Sequence, residues 1–240
     1  MSAPAEVLSW DSEFFGVRVA RACSGQLSPE ARDRLLKWCA AGRIELLYFL
    51  ADPVPETIRE AEQAGFDLMD VRIELSVPAA QMAKARADDA IRPARAADIA
   101  QLRGLAREAH RDSRFFADRR IPEARAAELF ERWLVRDCVA SESGYAAVVD
   151  DGAGAEGYVT GKITGPGVGQ IGLIAVGERV RGRGLGQALL GAAGSWFQSR
   201  GVEEVRVVTQ GRNLAAQRLY QKVGFRTASL QLWYHKWFSQ

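Results

Sequence analysis

The stretch Arg179-Val180-Arg181-Gly182-Arg183-Gly184-Leu185-Gly186 constrains what this chain can fold into more than any other. It lies between an apolar run, Ile171 to Val176, and a helix-like run, Leu185 to Phe197. A strand, a glycine-rich turn and a helix therefore follow one another. In that context backbone N–H groups close around an anion, and the positive end of the helix adds attraction without a metal ion. Arg179, Arg181 and Arg183 add charge around the turn. The expectation is an α/β fold on a mixed sheet, with a phosphate-bearing ligand at the turn.

The turn lacks the Gly-Lys-Ser/Thr ending of a P-loop, which disfavours nucleoside triphosphates. Downstream stands Asn213-x-x-Ala216-x-x-Leu219-Tyr220-x-x-x-Gly224-Phe225. Arg179-x-x-Gly182-x-Gly184 after a strand, together with this second motif, resembles the GCN5-related N-acetyltransferase (GNAT) family, which grips the pyrophosphate of acetyl-coenzyme A in that loop. The resemblance implies acetyl-CoA as cofactor. It places Leu173, Ile174, Ala175 and Val176 on the cofactor-binding strand and Arg179, Val180, Arg181, Gly182, Arg183, Gly184, Leu185 and Gly186 in the loop. Asn213 and Tyr220 complete the cofactor set, with Tyr220 in the position of the general acid.

Charge excludes some partners. Lys+Arg 32 against Asp+Glu 30 leaves +2, too balanced for a nucleic-acid footprint. No run approaches the length of a membrane span, and Met1 to Trp10 has neither the basic start nor the apolar core of a signal peptide, so a cytoplasmic protein without a membrane partner is expected. Cys23, Cys39 and Cys138 are odd in number and scattered, with only His110 and His235 to join them; neither a disulfide framework nor a metal site is expected.

Residues 79 to 90 are small and polar and read as a linker. The catalytic GNAT domain is expected over 91–240: a helix from Asp98 to about His110, a looser segment from Arg111 to Pro122, a second helix over 123–135, and three strands leading to the loop. A helix over 185–200, a strand over 205–209, a helix over 214–223 and a last strand over 230–238 follow. That aromatic-rich last strand is expected at a sheet edge, where a second copy would pair to make a homodimer. The first 78 residues echo the end of the chain. Strand, helix, Gly65-Phe66 and strand repeat the order around Gly224-Phe225, but Val54 and Ala61 replace Asn213 and Tyr220 and no glycine loop precedes them. Residues 1–78 thus read as a smaller, truncated, non-catalytic GNAT-like domain.

Acetyl transfer needs a neutral amine, a polarised carbonyl and a way to discharge a thiolate. A tyrosine of pKa near 10 protonating a thiolate whose acid has pKa near 8.5 works uphill by about 2 kcal/mol, so Tyr220 serves first as a hydrogen-bond donor. A base is harder to find. Ile171 to Val176 carries no acidic residue, Glu178 falls in the loop, and His110 is a lone histidine. The gap points to an acceptor amine of low pKa, such as that of an amino sugar, or to deprotonation through water.

Trp10-Asp11-Ser12-Glu13-Phe14-Phe15-Gly16, Ser113-Arg114-Phe115 and Gln170 to Ala175 resemble the dTDP-fucosamine acetyltransferases, which acetylate a dTDP-4-amino-4,6-dideoxygalactose and carry a degenerate domain ahead of the catalytic one. The resemblance implies a nucleotide-linked amino sugar as small-molecule acceptor, met by Trp10, Phe14, Phe15, Arg114 and Phe115. Another small amine or a protein N-terminus as acceptor, and a non-catalytic acetyl-CoA-binding module, are the alternatives.

Overall fold

Ten strands join into one mixed sheet of order β1-β2-β3-β10-β4-β9-β8-β7-β6-β5 in the computed structural model, which describes residues 3–138, 144–152 and 154–238. The outermost residues of both expected domains, Met1-Ser2 and Ser239-Gln240, lie outside that description. The first part of the chain supplies β1 (Ala5–Val7), α1 (Ser9–Phe15), β2 (Val19–Ala22), α2 (Pro29–Ala41), β3 (Leu46–Ala51), α3 (Pro55–Gln63) and β4 (Asp67–Pro78). After α4 (Ala79–Met82) come β5 (Ile91–Pro93), α5 (Ile99–Ala109), α6 (Arg114–Ala117), α7 (Glu123–Cys138), β6 (Gly144–Asp150), β7 (Ala155–Gly165) and β8 (Val168–Val176). The chain closes with α8 (Leu185–Ser199), β9 (Glu204–Gln210), α9 (Leu214–Val223) and β10 (Arg226–Trp237).

Apolar residues on both sides of the strands explain the layering. On the front face Phe14, Leu102, Phe115, Leu129 and Phe130, from α1, α5, α6 and α7, pack on Leu46, Tyr48, Tyr158 and Leu173. On the back, α8 and α9 cover Leu75, Val77, Val205 and Val207, while α2 and α3 cover Leu47, Phe49, Leu232 and Tyr234.

The last strand lies inside the sheet, between β3 and β4, and not at an edge. Its alternation explains this: Leu232 and Tyr234 face the back core while Trp233 and His235 face the front, so neither side is suited to water. The edges are β1 and β5, each three residues long, so pairing of a second copy along β10 is not open to this fold.

Placement of β10 amounts to an exchange. β4 follows α3 but pairs with β9, and β10 follows α9 but pairs with β3; the two exchanged strands also pair with each other, antiparallel. Arg72 lies opposite Gln231, its own counterpart in the repeat, and Arg72 Nη1 donates to Gln231 Oε1 at 3.2 Å across the offset of 159 residues. Val71 faces Leu232 and Ile73 faces Leu230, pairs that swap into one another at that offset. The echo in the sequence is thus a local two-fold relation centred on Arg72 and Gln231.

Within the segment read as a linker, α4 packs against α8. Met82 is fully buried, and a side chain at Gly194 of α8 would come within 2.5 Å of Ala83 N, so small residues run along that helix because nothing larger fits.

Candidate active site

The pairing of β8 with β9 is parallel and brief. It runs from Val168 opposite Glu204 to Ile171 opposite Val207 and stops, although both strands continue. The cause lies on the other side of β8. Gly161 of β7 faces Ile171 and Val159 faces Ile174, so β8 carries one residue too many, a bulge at Gly172 and Leu173. Thr160 fills the bulge: its Oγ1 accepts the Leu173 N–H at 2.9 Å and donates to Asp137 Oδ2 at 3.2 Å, and a Cβ on Gly172 would lie 2.7 Å from Thr160 Oγ1. Leu173 and Ala175 thereby turn to the front core, Ile174 and Val176 to the back. Of the four residues expected to offer backbone N–H groups to a cofactor, Leu173 already spends its own on Thr160.

Beyond Val176, a 3-10 turn (Glu178–Val180) anchors the loop through the buried Val180. Gly182 and Gly184 then take φ of 78° and 82°, a left-handed backbone that costs other residues roughly 1–2 kcal/mol, and α8 starts at Leu185. Arg86 reaches the loop, donating from Nη1 to Arg183 O at 2.7 Å. Gly186 serves packing instead, for a Cβ there would press on Leu219 of α9 at 3.1 Å. The loop arginines are not bare charges. Arg179 meets Glu156 at 2.6 Å, Arg179 and Arg183 each stand 3.9 Å from Asp151, and Arg181 Nε donates to Val176 O at 2.9 Å.

At the start of α9, Asn213 Oδ1 accepts the Ala216 N–H at 3.0 Å, capping the helix. Tyr220, two turns on, is 3% exposed in the back core beside Phe225, and burial pushes its hydroxyl above the usual tyrosine range. A phenol so placed stays protonated.

Residues 101–225 match the model of the acetyltransferase (GNAT) family. This chain belongs to the GNAT family. It is an enzyme of the N-acetyltransferase class, and the family as a whole uses acetyl-CoA. No protein of curated function matches the chain. A functionally unknown conserved protein from Staphylococcus epidermidis shares its fold over 100% of this chain and 93% of that one, with a TM-score of 0.71 at 13% identity. A GCN5-related N-acetyltransferase from Sphaerobacter thermophilus gives 0.66 at 19% identity, covering 97% and 76%. A tandem GNAT protein from the clavulanic acid biosynthesis pathway gives 0.62 at 15%, covering 94% and 77%.

In this GNAT enzyme neither base weighed from the sequence is well placed to take a proton. Glu178 is almost fully exposed on the loop. His110 stacks on Phe130 and shares a 2.8 Å hydrogen bond with Tyr158 OH, and burial drops its pKa to about 4. Among the described residues no group of three or more metal-ligating side chains occurs, and no helix is long and apolar enough to cross a membrane.

The residues expected to meet the acceptor gather where α1 and α6 pack on β3 and β10. Trp10 is nearly half exposed and stacks on Phe14 at 5.2 Å. Phe14 and Phe115 are buried, and Phe15 bridges them, so these three rings now serve packing. Arg114 lies with its guanidinium 4.1 to 4.2 Å from the rings of Tyr48, Phe115 and Trp233, and its Nη1 is 2.7 Å from His235 Nε2. His235 is fully buried, and desolvation takes its pKa to about 4. As a neutral ring it accepts from Arg114 and donates Nδ1–H to Asp118 Oδ2 at 2.6 Å, where Trp237 Nε1 also donates. Asp118 therefore fastens β10 to the segment after α6.

Between this seam and α7 the front of the sheet is polar. Arg72 and Glu74 on β4, Gln210 on β9 and Gln231 on β10 are all partly exposed there. Reasoning from the sequence missed this floor, because it depends on β4 crossing to the side of β9.

Proposed function

We propose that this enzyme transfers an acetyl group from acetyl-CoA to the primary amine of a nucleotide-linked amino sugar, of the dTDP-4-amino-4,6-dideoxyhexose type. The observation that carries the acetyl-CoA part is the parting of β8 from β9 immediately ahead of a loop with two left-handed glycines and a helix start. Those parts fit the group: the unpaired edge of β8 suits an extended amide-bearing arm, and the loop suits a pyrophosphate. When bound, acetyl-CoA supplies an activated acyl group. The loop from Arg179 to Gly186 holds its phosphates, and Ile174 to Val176 align its arm. Tyr220, approaching from the back face, donates a hydrogen bond to the departing sulfur. Buried as it is, it remains a donor and gives up its proton reluctantly.

The acceptor part rests on the polar floor, on Arg114 against Trp233 of β10, and on the resemblance of the Trp10 to Gly16 and Ser113 to Phe115 segments. Residues 91–240 hold one cofactor loop, and 1–78 bring none, so one active site per chain is expected. Free-thiol release from acetyl-CoA across a panel of dTDP-linked amino sugars, simple amines and peptide N-termini tests this reading. The fastest release is expected with a 4-amino sugar; preference for a peptide or a simple amine would replace the acceptor, and no release with any of them would remove the activity.

A further inference from the structure

We propose that Glu74, from the part of the chain that carries no cofactor loop, accepts the proton of the acceptor amine. The inference rests on the acetyl-transfer reading above and supplies a base where neither Glu178 nor His110 serves as one. Its ground is register. β4 pairs with β9 from Arg72 to Pro78, and Glu74 stands opposite Val208, one residue past Val207, the last position at which β8 stays paired with β9. Leu75 and Val77 point into the back core, so Glu74 points to the front, the face opposite Tyr220.

Strands lie about 4.8 Å apart where they pair, so the gap that opens beyond β9 begins roughly 5 Å from β4. A glutamate side chain extends roughly 4 Å from its Cα, so Glu74 leaning over β9 brings its carboxylate to the near side of the gap, within one bridging water of an amine above it. The carboxylate is aimed. Arg72 Nη2 holds Oε2 at 2.7 Å, while Oε1 faces Arg206 Nη1 of β9 at 4.0 Å, longer than a hydrogen bond. Arg72 and Arg206 are the charged groups around it, and β10 presents Ser229 and Gln231. The side chain is about one-fifth exposed, open enough to meet an acceptor.

The step balances. The amine lone pair forms the new N–C bond at the thioester carbon, the C–S pair leaves on sulfur, the nitrogen's proton passes through a bridging water to Glu74 Oε1, and sulfur takes a hydrogen bond from Tyr220 and then a proton from solvent. Glu74 returns its proton to solvent after release.

The test compares Glu74→Gln and Glu74→Asp in the full chain, using whichever amine the wild type acetylates. The Gln variant is expected to lose about 100-fold or more in kcat/KM, and the Asp variant about tenfold, with acetyl-CoA affinity by calorimetry unchanged within twofold. With a weakly basic amine, already neutral at the assay pH, the Gln deficit should shrink below tenfold. Without acetyl-CoA, the cationic amine should bind Glu74→Gln about tenfold more weakly than wild type, and its alcohol analogue equally well. Equal losses in both variants, or a Gln variant within twofold of wild type, overturn the role of Glu74 and leave the acetyltransferase reading standing; absence of turnover by the wild type removes both. Should the Gln variant fail to fold, the dependence of Glu74→Asp on amine basicity decides.

Discussion

The units β3-α3-β4 and β9-α9-β10 follow the same path at an offset of 159 residues, and each helix ends on a left-handed glycine, Gly65 at φ 69° and Gly224 at φ 99°. Their helices differ in what they bear. Asn213 caps α9 with its side chain and Tyr220 fills its inner face, whereas α3 starts after Val54, which makes no such cap, and buries Ala61 at the equivalent position. Packing alone thus maintains the first helix, while the second keeps a buried phenol in the back core. A repeat can lack the chemistry in its helix and still lend a strand to its partner.

Removing that phenol should have the largest effect. Tyr220→Phe is expected to cost about 100-fold in kcat, with KM for acetyl-CoA and the unfolding temperature little changed, because only the hydroxyl is lost. Steady-state thiol release checks it, and a loss below threefold would erase the functional difference between the two helices.

Next comes the front face of the exchanged strands, where Asp70 stands at the position of Ser229 in the other unit. Burial raises the Asp70 carboxyl from its ordinary 3.8 to about 6, against the attraction of Arg212 and Arg114. A carboxyl whose pKa rises on folding contributes stability that is fully present below pH 3.8 and is lost as pH climbs through 6. Asp70→Asn should therefore raise stability by about 1–2 kcal/mol at pH 7 and by nothing near pH 3.5, read as denaturation midpoints at both values. Equal shifts at the two pH values would show that the charge is not responsible.

The smallest effect tests the shared helix ends. Gly65→Ala should cost about 1 kcal/mol, since its added methyl group meets only the end of Lys236, and Gly224→Ala more, since there it meets Gln81. Thermal melts that rank the two the other way would break the equivalence of the ends.

Much of this was legible from the sequence. The glycine loop, the helices on either side of β9 and the meander of β6 to β8 declare themselves through local period and turn residues, since each depends on neighbours in sequence. The bulge at Gly172 could not be read locally, because it arises from a residue-count mismatch with β7 and is stabilised by Thr160. The exchange was hidden for the same reason on a larger scale. Nothing in Val71 to Leu75 says that its neighbours will be β9 and β10, so Glu74 looked like part of a silent copy. The interior place of β10 did leave a trace: Leu232-Trp233-Tyr234-His235 has no water-facing side, which an edge strand would show. The Ala-rich stretch after Pro78 misled in the opposite sense, since small residues mark close packing as readily as a linker.

The crossing of β4 and β10 also governs when the molecule can assemble. Until the twelve residues of β10 are available, β3 and β4 have no strand between them, and the first part of the chain is left with an open slot where its sheet should be continuous. Ladders that join positions so far apart are slow to form and are gained together. Synthesis of the first half should thus yield no independently folded unit, and the front floor that carries Glu74 comes into being in the same event that completes the sheet.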